Sequence, residues 1–503
     1  MYLLSSLLAF FGAIGFLTIY YPNNLVGTKS RQDLPGPKGI PIFGNLHQVY
    51  PWRTRIVEWI CLMHEKYGDI CTFTMPPWGR GIIIGRPEWL LHVKSNDMIK
   101  YTRVGPGAEI FEEFPGKNTP IGSDGVDWRR SRKTMAPVFS IKAFTDHVGV
   151  AMHKIMGTTT TLLENCSTQD VTVDWNAFFC LSSLSLETDL LGEQPKTLQE
   201  SDPLRNALTT LSTISSKRLL SPYWKWTEKY TSTGHAFEEA RSFVRQMVED
   251  VMSRRQSQNR SCEEDDTTSD YLTILLADPG CNGDLVLIRD TLVTLVFAGR
   301  DNTQNVIAWA MNALLNHPDW MAKMREEALR LQSNTDQAKG LPYHNLSQYH
   351  VHLAVFYETV RLWPGLPKNG RQVLSDDVLP AIPEAGLPPV KVYKGDCIFW
   401  SDYYLMRHPL VWGQDASVFN PGRHLNEDGQ FVKPRSPNFN GFGAGPRLCP
   451  AAQLSAYEFV ACWATILPRF EFIKMYDHEP VMMEAFTACM KGKLDVKIKP
   501  YHQ

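Results

Sequence analysis

The residue most able to do chemistry in this chain is Cys449. It lies within Phe442–Leu454, read F-G-A-G-P-R-L-C-P-A-A-Q-L, at the end of a Gly-rich loop and directly before a helical pattern. Gly443 and Gly445 let backbone run close to a bulky group, and Pro446 stiffens the turn. Pro450 suits the first turn of a helix, where a missing N–H costs nothing. A helix N-terminus favours a thiolate through its dipole and its unpaired N–H donors. Such a cysteine serves as a nucleophile or as a metal ligand, and two features favour the ligand. No Cys/His spacing of a zinc site lies nearby, and Arg447, two residues earlier, can face an anionic group. Taken alone, a buried free cysteine in a Gly-rich loop is the plainer account.

Three helical patterns carry the other candidates. Asp124–Phe139 contains Trp128 and Arg132, spaced i, i+4 on one face. Asp284–Asn316 is an unusually long helical run closed by His317-Pro318, and at 1.5 Å per residue it crosses a whole domain, roughly 50 Å. Inside it, Gly299 weakens the helix by about 1 kcal/mol relative to alanine. Close approach of a flat group or tight helix packing explains such a glycine, and Asp301, Asn302 and Thr303 follow it. Gln348–Trp363, ended by Pro364, carries Glu358 and Arg361 at i, i+3, a spacing that on an ordinary helix contributes only about 0.2–0.5 kcal/mol. Ile70–Met75 and Gly81–Ile84 read as two short strands around a Pro-Pro turn.

The 503 residues are 43% hydrophobic with a net charge of −2, ample for a large core and without the basic excess that nucleic acid requires. The ten cysteines are scattered without a C-x-x-C pair, which points to reduced thiols and a cytosolic catalytic part. Tyr2–Tyr21 carries no charge and is long enough for a membrane-spanning helix. Lys29 and Arg31 follow it, so the positive-inside rule leaves the rest of the chain in the cytosol. Residues 1–22 are therefore read as an anchor, 23–46 as a Pro/Gly hinge and 47–503 as the catalytic domain. Arg260–Asp270 is a polar, acidic stretch read as a mobile surface loop.

The cysteine loop resembles the haem-binding F-x-x-G-x-R-x-C-x-G segment of the cytochrome P-450 superfamily. Phe442, Gly445, Arg447 and Cys449 match in register, and Ala451 stands where the family usually has glycine. Further motifs resemble the family in its order. Leu34–Leu46 is similar to the P-P-G-P hinge of membrane-bound members, and Trp128 with Arg132 to W-x-x-x-R, which contacts a haem propionate. Phe297–Thr303 resembles (A/G)-G-x-(D/E)-T-(T/S), with Asp301 at the acid, Asn302 replacing the usual threonine and Thr303 at the second hydroxyl. Glu358 and Arg361 match E-x-x-R, and Arg423 in V-F-N-P-G-R-H-L matches its later arginine, with His424 in place of phenylalanine. Arg371 falls where relatives often place another propionate contact.

The resemblance implies a mainly α fold with a small β-rich lobe, behind a transmembrane helix, in the endoplasmic reticulum membrane as a single-pass protein. It implies haem b with the Cys449 thiolate as axial ligand, and a monooxygenase that uses O2 to hydroxylate or epoxidise an apolar small molecule. Neither a dinucleotide fingerprint nor a flavin domain is found, so electrons are expected from a separate NADPH-dependent flavoprotein reductase docking near Lys133, Lys433 and Arg435. Ala298-Gly299-Arg300-Asp301 resembles A-G-R-D in fungal and plant members that hydroxylate alkanes and fatty acids, and a tailoring step on a specialised metabolite fits equally well. The family pattern places pocket walls near Ile110–Phe114, Phe297, Leu366 and Phe486. A haem-thiolate isomerase or dehydratase, and a non-catalytic membrane haem protein, are the alternative readings.

Overall fold

The computed structural model describes residues 2–103, 105–178, 203–221, 223–258, 270–281, 283–332 and 341–502. All of the polar stretch Arg260–Asp270 except its last residue lies outside these. The helices that matter here are α1 (Tyr2–Tyr20), α2 (Ile56–Tyr67), α3 (Pro87–Ser95), α4 (Gly125–Met135), α5 (Pro203–Arg218), α6 (Leu285–Asn316), α7 (His350–Leu362) and α8 (Ala452–Ile466). The strands used below are β1 (Ile70–Met75), β2 (Gly79–Ile84), β3 (Tyr101–Thr102), β4 (Thr172–Asp174), β5 (Lys368–Val373), β6 (Cys397–Ser401), β7 (Phe470–Lys474), β8 (Val481–Glu484), β9 (Ala488–Lys491) and β10 (Asp495–Pro500). Five strands form one sheet in the order β1-β2-β6-β5-β3, three form β4-β10-β7, and β8-β9 is a hairpin.

Helix α6 is the axis of the helical part. Asp284 caps it, accepting the Leu287 N–H at 3.0 Å, and it runs unbroken for 32 residues. Its apolar residues are buried on nearly all faces, the mark of a helix inside a core rather than on a surface. Within that buried run Ala298, Gly299 and Asn302 are only partly buried, so this short face borders open space. Helices α7 and α8 pack on the same core.

In the β-rich lobe, the two strands expected around the Pro-Pro turn form as an antiparallel pair. Ile70 pairs with Ile84 and Met75 with Gly79, so the second strand begins two residues earlier than the sequence suggests. The Pro/Gly stretch before it is part of this lobe. Thr72 N–H donates to Pro35 O at 2.8 Å, Asn45 N–H to Thr74 O at 2.6 Å, and Thr74 N–H to Asn45 Oδ1 at 2.9 Å. Leu34 is buried, Arg31 pairs with Asp33 at 2.7 Å, and Arg80 donates to the Lys29 carbonyl.

The spanning helix expected over residues 1–22 is not borne out. What forms is a 19-residue helix stopped by Tyr21-Pro22, about 28 Å at 1.5 Å per residue against a hydrocarbon core of about 30 Å. Among the described residues no helix is long and apolar enough to cross a membrane. Eight of the ten cysteines are described and all eight are free thiols.

Candidate active site

The Cys449 loop is a closed turn. Cys449 N–H donates to Phe442 O at 2.9 Å, and Gly443 and Gly445 take φ of 75° and 66°, values L side chains avoid. At Gly445 space is also short, since a Cβ would come within 2.7 Å of the Lys94 carbonyl on α3. Phe442 anchors the loop to α7, with ring centroids 5.9 Å from Phe356 and 6.1 Å from Tyr357. Ala451 has φ −87°, an ordinary value, so the glycine it replaces is not required by the backbone. Helix α8 begins at Ala452 with Ala451 as its N-cap, so Pro450 lies two residues before the helix rather than in its first turn. The Cys449 side chain is partly exposed although densely surrounded by protein. Burial pushes its thiol up, opposed by the Ala451 N–H and the nearby charge of Arg132.

Trp128 and Arg132 share one face of α4, and that face meets the cysteine loop. The two side chains do not converge on one point. Trp128 is buried with the Arg447 guanidinium 5.3 Å from its ring centroid, whereas Arg132 donates to the Leu448 carbonyl at 2.7 Å.

Beside them the structure gathers three guanidiniums. Arg371 on β5 donates through Nε and Nη2 to Asp97, both at 2.9 Å. Arg447 approaches the same carboxylate at 3.6 Å and also pairs with Asp124. The third is Arg103, which sequence reasoning missed. It directly follows edge strand β3, whose Tyr101 pairs with Val373 of β5, so the sheet sets it next to Arg371. Arg103 donates to Ile121 O at 2.8 Å, while its Nε and that of Arg447 are buried without an acceptor. Burial and then the charges of Arg371 and Arg447 bring Arg103 down to about 9.

Asp301, Asn302 and Thr303 are neighbours in sequence but successive α-helical residues turn about 100°, so they face three partners. Asp301 is buried against Arg300 at 2.8 Å, with Thr487 Oγ1 at 3.5 Å. Asn302 Nδ2 donates back to Ala298 O at 2.9 Å. Thr303 donates to Glu458 on α8 at 2.7 Å. Glu458, also missed from sequence, is buried with Oε1 unpartnered, and burial raises it to about 7 against the Thr303 hydrogen bond. Of the three, only Asn302 lies on the partly buried face of α6.

Glu358 and Arg361 are fully buried and bidentate, with both N–O distances 2.8 Å. Arg361 also donates to the Met406 and Ala416 carbonyls at 2.6 Å. Arg423 reaches Glu358 Oε1 at 3.4 Å, and His424 lies 3.1 Å from Oε2. Burial would raise Glu358, but Arg361 and then His424 hold it down to about 2. Arg423 and His424 reach this carboxylate from a turn 62 or more residues away, beyond any local pattern.

At α6, four phenylalanines from three segments meet. Phe111 stacks on Phe486 at 5.2 Å, Phe114 meets Phe297 edge-on at 4.8 Å, and Phe297 lies 6.2 Å from Phe486. Leu366, assigned to the same wall from sequence, is instead 51% exposed. Phe111 also borders an apolar cavity of about 150 Å³ walled by Trp59, Phe73, Trp78 and Leu219.

The family model described as Cytochrome P450 matches residues 34–500. The chain belongs to the cytochrome P450 family. It is 29% identical over 513 residues to the cytochrome P450 monooxygenase cyp1 of Mycosarcoma maydis, covering 97% of this chain and 78% of that protein. Cytochrome P450 94B1 of Arabidopsis thaliana is 24% identical, with 99% of this chain and 98% of that protein covered. Cytochrome P450 704B1 of the same plant is 25% identical, covering 91% and 93%. This P450 is thus a haem-thiolate monooxygenase, with haem b held by an axial cysteine thiolate.

The residues present fit that group. Arg103, Arg371 and Arg447 face only the carboxylates of Asp97 and Asp124, with two buried donors unused, which suits an added anionic group such as the haem propionates. Burial pushes the Cys449 thiol up, and the positive charge of a bound metal would oppose that shift and favour the thiolate. The less buried face at Ala298, Gly299 and Asn302 leaves room for a flat ring.

Proposed function

We propose that this P450 hydroxylates or epoxidises an apolar small molecule, either an alkane- or fatty-acid-type chain or a specialised metabolite. The phenylalanine wall carries this reading, because four aromatic side chains from three segments form an apolar boundary at α6. Haem, when bound, supplies O2 activation, and the protein supplies ligand, orientation and protons. Cys449 holds the iron, and Trp128, Arg132, Arg371, Arg447 and Phe442 fix the group and its loop. A binding-induced spectral shift across fatty acids, alkanes, terpenoids and polyketides, followed by product analysis with a flavoprotein reductase and NADPH, tests the proposal. Turnover without reductase and NADPH, by isomerisation or dehydration, would overturn it.

Asp301 is the proposed proton source, because a carboxyl relays protons and the amide of Asn302 does not readily do so. Burial pushes Asp301 up while Arg300 and the Thr487 hydroxyl oppose it, a direction that favours its holding a proton to pass on. Asp301→Asn is expected to lower turnover on the order of 10²-fold. Asn302→Thr is expected to be nearly neutral, and Asn302→Ala to release more peroxide per product. Unchanged turnover and NADPH coupling in Asp301→Asn at normal haem content would reject the route.

We also assign the protein to the cytosolic face of the endoplasmic reticulum membrane, held by α1 and served by a reductase docking near the exposed Lys133, Lys433 and Arg435. Phe10, Phe11, Phe16 and Ile19 are exposed on α1, and Tyr223, Trp226 and Tyr230 form a second exposed aromatic group. Removing residues 2–21 is expected to reduce the membrane-bound fraction in sedimentation while preserving haem content. An unchanged bound fraction would remove α1 as the anchor.

A further inference from the structure

We propose that Gly365 is a positioning residue that fixes the Asn302 amide in one orientation, so that the two positions act as a unit. Asn302 Nδ2 donates to the Ala298 carbonyl at 2.9 Å, which turns Oδ1 away from α6 and toward the chain leaving α7. There Oδ1 lies against Gly365, and a Cβ at that position would meet the Asn302 amide oxygen before any other atom. Gly365 does not have a positive φ, so the backbone does not demand glycine. Space does, and the atom that takes the space is Oδ1.

Neither segment can simply retreat. Gly365 O accepts the Ala488 N–H of β9 at 3.0 Å, and Ala488 O accepts Trp309 Nε1 at 3.2 Å. Trp309 on α6 stacks on Trp363, two residues before the glycine, at 4.9 Å with planes 5° apart. The helix, the loop after α7 and the hairpin are thereby joined around one contact. What can yield is the tip of the Asn302 side chain. A methyl group at position 365 would rotate the amide off Ala298 and toward the open face of α6. A threonine at position 302 lacks Oδ1, the atom that the methyl group would meet first, and so relieves the closest part of the contact.

The test is a double-mutant cycle with Gly365→Ala and Asn302→Thr on the haem-loaded enzyme. Two readouts are taken: thermal midpoint without substrate, and peroxide released per NADPH consumed. The first does not depend on the proposed oxygenation of an apolar substrate, so failure of that reading and of this one are distinguishable. Gly365→Ala alone is expected to lower the midpoint and raise peroxide release, whereas the double variant matches Asn302→Thr in both. The coupling between the two positions is expected to fall in the range of contacting residues, about 2-fold to 100-fold. Equal effects of Gly365→Ala with and without Asn302→Thr would overturn the proposal, as would a Gly365→Ala enzyme with unchanged midpoint and peroxide release.

Discussion

Cys449→Ser is expected to abolish the thiolate-ligated absorption band of the reduced, carbon monoxide-bound protein. The argument is local. Cys449 is the thiol at the mouth of the closed loop between Phe442 and α8, facing the Arg132 charge and the Ala451 N–H. A serine hydroxyl keeps the size but ionises far less readily, so the sulfur-to-iron donation that produces the band is lost. Cys462, buried in α8, and Cys61, on α2, are far from the loop's closing hydrogen bond and serve as controls. A wild-type band in Cys449→Ser, or its loss in either control, would refute the assignment.

The second large effect is expected at Glu358. Removing it by Glu358→Ala leaves Arg361 buried with no carboxylate and Arg423 and His424 without their shared acceptor. Breaking a buried pair from one side commonly costs about 3–5 kcal/mol. The cysteine loop leans on the same helix through Phe356 and Tyr357, so loss of this network appears as protein without haem rather than as a loaded, slow enzyme. The pH dependence has a definite sign. Glu358 is held at about 2, below its usual 4.5, so its contribution is complete above 4.5 and is lost as pH falls toward 2. Haem content and acid release measured on wild type and variant decide it. Stable Glu358→Ala holoprotein with normal haem would count against the network.

What could be read in the sequence was local. The strands of Ile70–Met75 and its partner, the long central helix and the i, i+3 pair at Glu358 each announce themselves within a few residues, because period, caps and turn residues are local signals. Arg103, Glu458 and Gly365 were not legible. Each acquires its role from a partner far along the chain, Arg371, Thr303 and Asn302, and no local pattern encodes such a meeting. Grouping Asp301, Asn302 and Thr303 as one set treated adjacency in sequence as adjacency in space, which a helix does not grant. Leu366 went astray similarly: its neighbour Gly365 faces α6, but its own side chain points outward.

The bonding of the Pro/Gly stretch to β1 bears on how the chain can be cut. A cut at Ile56, where α2 begins, would remove the whole stretch. Here that would strip Pro35 from Thr72, Asn45 from Thr74 and the Lys29 carbonyl from Arg80, leaving polar groups of the lobe bare. The tolerable cut lies between Tyr21 and Leu25, because the Leu25 N–H already donates to Thr74 Oγ1 at 3.0 Å and the Val26 N–H to Ile42 O at 3.1 Å. If α1 lies on a lipid surface, as proposed above, the same attachment carries its orientation through a short Pro/Gly neck to the β-rich lobe, so the catalytic body would be aimed by that helix and not merely tethered to it.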